Sequence, residues 1–209
     1  MQISDAPWLS LAHATSISNT DTGAASRSIS VHKTIIAFFK LQCRADNSGI
    51  DFSGGTGLLT RLLKDSGFEV TSFDPYSSQF FSCRFQATLQ DFKKEKTFIS
   101  AIEYIEHLEQ PFETFQSIVR NKQLFMFTTE TNSVPSQNPN SINPWWYFSP
   151  KEGQHISFAT SVGLKFFRER LDYNYYIKLN SLHIFFRKRI SRRVKFLSKF
   201  PHIWGFLLL

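Results

Sequence analysis

Two carboxylates set around a glycine-rich run are the part of this 209-residue chain best suited to chemistry. Gly49-Ile50-Asp51-Phe52-Ser53-Gly54-Gly55-Thr56-Gly57 passes from a short apolar stretch into three closely spaced glycines. Asp74 follows at the end of Val70-Thr71-Ser72-Phe73-Asp74. Glycines let backbone amides approach a ligand without a Cβ in the way and supply positive φ where the chain reverses. A helix starting near Leu58 adds free N–H groups. An acid at the carboxyl end of the next strand lies on the ligand-binding edge of an open α/β sheet, where it accepts hydrogen bonds from ribose hydroxyls. The pattern describes a cradle for a nucleoside-containing cofactor, with a plain tight turn as the structural alternative.

Spacing separates the cofactors. A dinucleotide fingerprint needs G-x-G-x-x-G, and counting from Gly55 places Thr60 where the third glycine should stand. The stretch instead resembles the first motif of class I S-adenosylmethionine-dependent methyltransferases, an acid followed by alternating glycines, with Asp51, Gly55 and Gly57 in place. Ser53 departs from that motif at its first glycine, although Gly54 sits beside it. The resemblance implies S-adenosyl-L-methionine as cofactor, held by Asp51, Ser53, Gly54, Gly55, Thr56, Gly57, Asp74 and Pro75.

Two further clusters fit the same resemblance. The apolar run 97–102 leads into Glu103-Tyr104-Ile105-Glu106-His107, the E-x-x-E-H form that follows the fourth strand in this family. By resemblance Ala101, Ile102 and Glu103 line the cofactor pocket, and His107 is a candidate catalyst because imidazole accepts a proton near neutral pH. Some relatives bind a divalent ion with this stretch, a role that by resemblance would fall to Glu103, Glu106 and His107. Mg²⁺ prefers six oxygen ligands and the sequence identifies no further ones, so no metal is expected. The second cluster is Trp145-Trp146-Tyr147…Pro150-Lys151-Glu152-Gly153-Gln154-His155-Ile156-Ser157-Phe158. A similar segment follows the fifth strand in bacterial methyltransferases often associated with glycan and surface-polysaccharide synthesis. Aromatic faces stack on apolar faces of sugars or rings, which makes Trp145, Trp146, Tyr147 and Gln154 substrate-binding candidates. His155 is the candidate base for a hydroxyl. The alternatives are aromatic residues that cap the sheet end and histidines bonded to the backbone.

Around these residues the chain alternates strands near 49–52, 68–73, 97–102 and 123–129 with helices near 32–41, 57–66, 111–121 and 157–170. Such alternation implies parallel crossovers. Asn180-Ser181 alone separates two aromatic-rich runs near 173–179 and 182–188, so a hairpin should close the sheet. The expected fold is Rossmann-like and doubly wound, a mostly parallel seven-stranded sheet with a terminal antiparallel strand. Residues 1–45 read as a helical segment covering the site, 46–188 as the methyltransferase domain and 189–209 as a basic amphipathic tail. In the first of these, Thr20-Asp21-Thr22-Gly23 and Arg27 resemble a family segment that closes over the cofactor.

Charge and cysteines bound the remaining choices. Of 24 Lys and Arg, eight lie after Tyr173 with no acid among them, leaving 16 bases against 17 acids before it. The excess of +7 is thus a property of the C-terminus, which argues against a nucleic-acid groove across the domain. Two isolated cysteines, Cys43 and Cys83, offer neither a disulfide framework nor a zinc pattern. With no secretory leader at Met1, a cytoplasmic setting is expected. Bases opposite Ile190, Val194, Leu197 and Phe200 make a face suited to the inner membrane surface, or simply a solvated face of a packed helix. The sequence thus reads as an O-methyltransferase acting on a small hydroxylated or sugar substrate. Its rivals are a non-catalytic binding or scaffold protein of the same fold and an NAD-dependent oxidoreductase.

Overall fold

Strict alternation along the strands sends two sets of apolar side chains to opposite faces of one sheet. The computed structural model describes residues 23–42, 45–131, 145–148 and 155–199. The strands are β1 (Ser48–Phe52), β2 (Glu69–Phe73), β3 (Lys96–Ala101), β4 (Lys122–Thr128), β5 (Tyr175–Leu179) and β6 (Leu182–Phe186), in the order β2-β1-β3-β4-β6-β5. β1 pairs in parallel with β2 and β3, and β3 with β4, whereas β6 runs antiparallel to both β4 and β5. On one face Phe98, Leu124, Met126, Ile184 and Phe186 meet helices α1 (Ala24–Gln42) and α2 (Leu58–Asp65). On the other, Ile50, Phe52, Ile99, Phe125, Phe127 and Phe185 meet α3 (Pro111–Ile118) and α4 (Ser161–Arg170). Phe38 and Ile35 of α1 are wholly buried, each stabilising the fold by about 2–3 kcal/mol. α1 is therefore part of the sheet's own packing; of the segment 1–45 expected to cover the site, residues 1–22, 43 and 44 lie outside the described residues.

The seven-stranded expectation is corrected to six strands among the described residues. Beside β2, where a seventh would pair, there is only the isolated parallel bridge between Ser72 and Gln86. Ser72 N–H donates to Phe85 O and Ala87 N–H to Ser72 O, but pairing stops there. The Thr88 N–H is taken by the Asp91 carboxylate at 2.7 Å, which turns the chain into a 3-10 turn at Asp91–Lys93. The expected hairpin is present, with Asn180 in the left-handed region at φ 53° and its side-chain amide donating to Thr34 Oγ1. α4 begins at Ser161, later than the expected 157, because the Thr160 hydroxyl caps it by accepting from Gly163 N–H at 3.0 Å.

The basic tail folds back as α5 (Arg192–Leu197). Val194 is completely buried in the α1 core. Ser191 fixes the junction, its N–H donating to Gln42 Oε1 and its hydroxyl to Leu41 O. Among the described residues no helix is long and apolar enough to cross a membrane.

Candidate active site

The chain passes from β1 through β2 on one side and then to β3 on the other, so the crevice opens at the carboxyl ends of β1 and β3. Open α/β sheets bind ligands at such a switch point. The glycine turn lies there. Ser53 has φ 58°, Gly55 φ 56° and Gly57 φ 80°, and Gly57 N–H closes the turn on Gly54 O at 2.9 Å. Ser53 thus holds the left-handed conformation that a glycine would adopt freely, at a cost of about 1–2 kcal/mol. Ser53 N–H donates to Phe73 O at 2.7 Å, which pins the turn to the end of β2.

The glycines differ in what surrounds them. A Cβ on Gly54 would collide with Ser72 Oγ and come within 3.0 Å of Asp51 Oδ2, and one on Gly57 within 2.9 Å of Ser82 N. At Gly55 nothing lies within 4 Å of that position, so this residue borders open space. Asp74 sits at the same edge. Its carboxylate accepts from Gly55 N–H, Tyr76 N–H and Ser77 N–H, each at 2.9 Å. Three of roughly four lone-pair positions on a carboxylate are thereby filled, and the buried hydroxyls Ser72 Oγ and Ser77 Oγ have no partner. Open space at Gly55, residual acceptor capacity on Asp74 and unpartnered hydroxyls nearby fit a polar nucleoside.

Asp51 lies beneath the turn, on the α2 face of the sheet. It is 1% exposed and accepts from Ser100 Oγ at 2.7 Å and Thr60 Oγ1 at 3.0 Å. Burial outweighs both hydrogen bonds and raises its pKa from 3.8 to about 6. Thr60, which breaks the dinucleotide pattern, here secures the turn's acid. Sequence spacing gave no sign of that role.

The second half of the site begins where β3 ends. Glu103 takes φ 50° and donates its N–H to Thr128 Oγ1 at 2.8 Å, a strained residue fixed by the neighbouring strand. Ala101 is buried on the α3 face, and Ile102 packs against the opposite core. Pro75 is exposed. Glu106 and His107 occupy a 3-10 turn at Ile105–His107, and both are buried. Burial first, and then the Glu103 charge, push the Glu106 carboxyl well above the usual carboxylate range, while the Arg27 charge pulls it back.

His155 is brought to this turn from a distant segment. Ile156 N–H and Ser157 N–H both donate to Glu106 O, at 2.8 and 2.9 Å, and Ser157 Oγ donates to Leu108 O. The His155 and His107 rings lie 5.0 Å apart. His155 Nδ1 is 2.6 Å from Tyr147 O; a carbonyl only accepts, so Nδ1 carries the proton and Nε2 presents a lone pair. Tyr147 is buried, its hydroxyl donating to Glu106 Oε1 at 2.7 Å. Burial and the two glutamates hold that phenol far above the usual tyrosine range. Trp145 is half-buried between Tyr147 and Phe158, and Trp146 is 73% exposed. Gln154 and the residues 20–22 of the T-D-T-G segment lie outside the described residues.

The structure therefore brings Glu106, His107, His155 and Tyr147 into one cluster, with the glycine turn and Asp74 at the same sheet edge. Thr60, Ser72, Thr128 and the Tyr147 hydroxyl were not legible as site residues, because each acts on a partner distant in sequence. Only the strand-end positions of Ser72 and Thr128 could have flagged them.

A family model for a methyltransferase domain matches residues 26–176. No curated protein matches the chain significantly. Solved structures similar to it include magnesium protoporphyrin IX methyltransferase from Synechocystis PCC 6803 with bound SAM, at TM-score 0.54 and 10% identity over 79% of this chain and 80% of that one. An O-methyltransferase family protein from Burkholderia thailandensis aligns with TM-score 0.55 and 11% identity over 78% and 56%. A SAM-dependent methyltransferase from Archaeoglobus fulgidus aligns with TM-score 0.50 and 17% identity over 73% of each. At these identities the likeness is one of fold.

Proposed function

Since the chain belongs to the methyltransferase-domain family and uses S-adenosylmethionine, we propose that it methylates an oxygen of a small hydroxylated or sugar acceptor. The cofactor supplies a methyl group on a sulfonium, open to in-line attack. Asp74 would take the ribose hydroxyls, Gly55 would leave room for close backbone approach, and Ala101, Ile102 and Glu103 would flank the same ligand. The observation that carries the acceptor reading is the Glu106–His107–His155 cluster at the strand ends, in which Glu106 and His107 are buried and His155 is half-buried with its Nε2 lone pair available.

An attacking hydroxyl must lose its proton. We assign that proton to His155 Nε2, with the His107 ring 5.0 Å away as its neighbour, and Tyr147 orients the Glu106 carboxyl group through its hydroxyl. The aromatic faces of Trp145 and Trp146, beside Tyr147, fit the apolar face of a sugar or a ring. The sugar preference follows from this aromatic set together with the motif at 145–158.

Release of S-adenosylhomocysteine during incubation with a panel of sugar and aromatic alcohols tests the reading, with mass spectrometry of the product to locate the methyl group. His155→Ala should lower turnover roughly 10²- to 10⁴-fold while cofactor binding persists. Full turnover in that variant, or a methyl group found on nitrogen, refutes the assignment.

The tail bears on location. α5 is docked through Val194, while Arg192, Arg193 and Lys195 are exposed beside the exposed ring of Phe196. A docked helix with its bases outward fits an anionic lipid surface as a peripheral contact. Co-sedimentation with phosphatidylserine vesicles, compared with the triple variant Arg192→Gln, Arg193→Gln, Lys195→Gln, tests this; equal binding removes it.

A further inference from the structure

We propose that His183, fixed by Tyr176, is a positioning residue for the acceptor side of the site, acting through Thr129 on Tyr147 and His155. The inference rests on the methyl-transfer reading and adds to it two side chains from β5 and β6. Pairing between β4 and β6 ends at Thr128 and Leu182, the first residue of β6 after the hairpin. One step beyond, the His183 ring replaces strand pairing as the tie, its Nε2 lying 3.1 Å from Thr129 O. A carbonyl only accepts, so Nε2 carries the proton and Nδ1 accepts from the Tyr176 hydroxyl at 2.9 Å.

The ring is held in one orientation. It is completely buried, and it is stacked between Phe127, at 5.0 Å and 13°, and Tyr176, at 5.8 Å and 12°. Stacking sets the plane of the imidazole and the tyrosine hydroxyl sets its tautomer, so the Nε2 donor points one way. Every other residue of β6 is apolar and buried. A histidine among them carries a desolvation cost that an apolar side chain would avoid, and its hold on Thr129 is what the sheet obtains in exchange.

The continuation of β4 is where the acceptor side is assembled. Thr128 Oγ1 accepts from Glu103 N–H at 2.8 Å, and Thr129 Oγ1 stands 3.5 Å from the Tyr147 hydroxyl. Thr131 bridges Ala159, at the end of the segment that carries His155. Tyr147 in turn directs Glu106 through its hydroxyl and His155 through its carbonyl. A displacement of Thr129 therefore reaches the proton-accepting imidazole from two sides. The glycine turn and Asp74 are held by β1 and β2, so the nucleoside end of the crevice is spared. A misplacement of about an ångström can cost about 10²-fold in rate even when the change lies far from the chemistry.

Nitrogen-15 NMR of the histidine rings in the full chain reads the His155 tautomer directly, with its signals assigned by comparison with His155→Gln. The wild type should show His155 protonated at Nδ1. In His183→Phe, which keeps the ring volume but has no donor for Thr129 O, the Nε2-protonated form should appear. His183→Gln, whose amide can donate to the same carbonyl, should retain the wild-type tautomer. Turnover on the alcohol that the wild type methylates fastest should fall roughly 10- to 100-fold in His183→Phe and stay within about threefold in His183→Gln, with S-adenosylhomocysteine affinity held in both. A role confined to the stability of the sheet would lower the unfolding midpoint and leave the His155 tautomer unchanged; that result in a folded His183→Phe protein, judged by its backbone amide spectrum, overturns the proposal. Should that variant not fold, Tyr176→Phe, at a ring 40% exposed on the edge strand, decides by the same tautomer signal, and an unchanged signal there overturns it equally. Absence of S-adenosylhomocysteine binding by the wild type would instead remove the methyl-transfer reading, while the tautomer comparison still decides the role of His183.

Discussion

Replacing Asp51 by asparagine should change how stability depends on pH, by an amount fixed by the burial of its carboxyl group. In the folded chain that group titrates at about 6, against its ordinary 3.8. A difference of about two units is worth roughly 3 kcal/mol at ~1.4 kcal/mol per unit, and at 1% exposure solvent screening removes little of it. Between about pH 4 and pH 6 the folded protein binds this proton while the unfolded chain has released it. Stability therefore falls as pH rises through that window, and above it the ionised carboxylate stays buried at a cost. The amide of the substituted side chain has no such proton. The unfolding free energy of the Asp51→Asn variant minus that of the wild type should accordingly rise by about 2–3 kcal/mol from about pH 4 to about pH 7. Urea unfolding at several pH values between these limits measures it, and taking the difference cancels every other titrating group. A difference that stays level across the series would refute the argument, because the Thr60 and Ser100 hydroxyls would then fully replace the lost hydration.

Other perturbations separate the roles of neighbouring positions. Gly55→Ala introduces a methyl into open space at φ 56°; it should cost about 1–2 kcal/mol of stability yet weaken S-adenosylhomocysteine binding by more than tenfold in calorimetry. Gly57→Ala, whose methyl meets the Ser82 backbone, should lose stability beyond the left-handed cost alone, so the two variants differ in pattern. Ser53→Gly relieves a left-handed serine at φ 58°; its thermal midpoint should hold or rise, with the net gain at most about 1 kcal/mol after the added flexibility of glycine. His183 is buried, accepting at Nδ1 from Tyr176 and donating at Nε2 to Thr129 O, and burial pushes it down to about 4. The unfolded histidine binds its proton near 6.5, so stability should fall as pH drops from there to about 4, by about 3 kcal/mol. A His183→Asn variant should lack that decline in urea unfolding.

What the sequence made legible depended on how local the cause was. β1, β2, β3 and β4 followed from short apolar runs, and the hairpin followed from the two residues Asn180 and Ser181. The glycine turn was readable because left-handed backbone at Gly55 and Gly57 leaves its mark in residue type. The seventh strand was implied by the family fold and not by any apolar run, and among the described residues the outer edge of β2 carries only one bridge, after which the Asp91 carboxylate takes Thr88 N–H. The α4 boundary failed because an apolar pattern marks the helix face while the Thr160 hydroxyl marks its beginning. The tail's apolar stripe was visible, but its partner was not; only the fold shows Val194 buried against α1.

The site divides along the same line. Glu103, Glu106 and His107 were legible together because one strand end carries all of them, whereas His155 reaches the cluster from a segment far along the chain. The connection runs through backbone amides at Ile156 and Ser157, which any sequence supplies, so no side chain announces it. Tyr147 completes the arrangement by acting at both ends. Its hydroxyl orients Glu106 and its carbonyl orients His155, so the ring reads as a substrate platform in sequence and as an organising centre in the fold. Loss of the hydroxyl alone should disturb Glu106 and leave the Tyr147 O–His155 bond in place, whereas disruption of the loop backbone should disturb both. That asymmetry makes Tyr147→Phe the sharper probe of the cluster: a reduced methyl-transfer rate with unchanged cofactor affinity would place the defect on the acceptor side of the crevice, and weakened cofactor binding would place it at the strand ends instead.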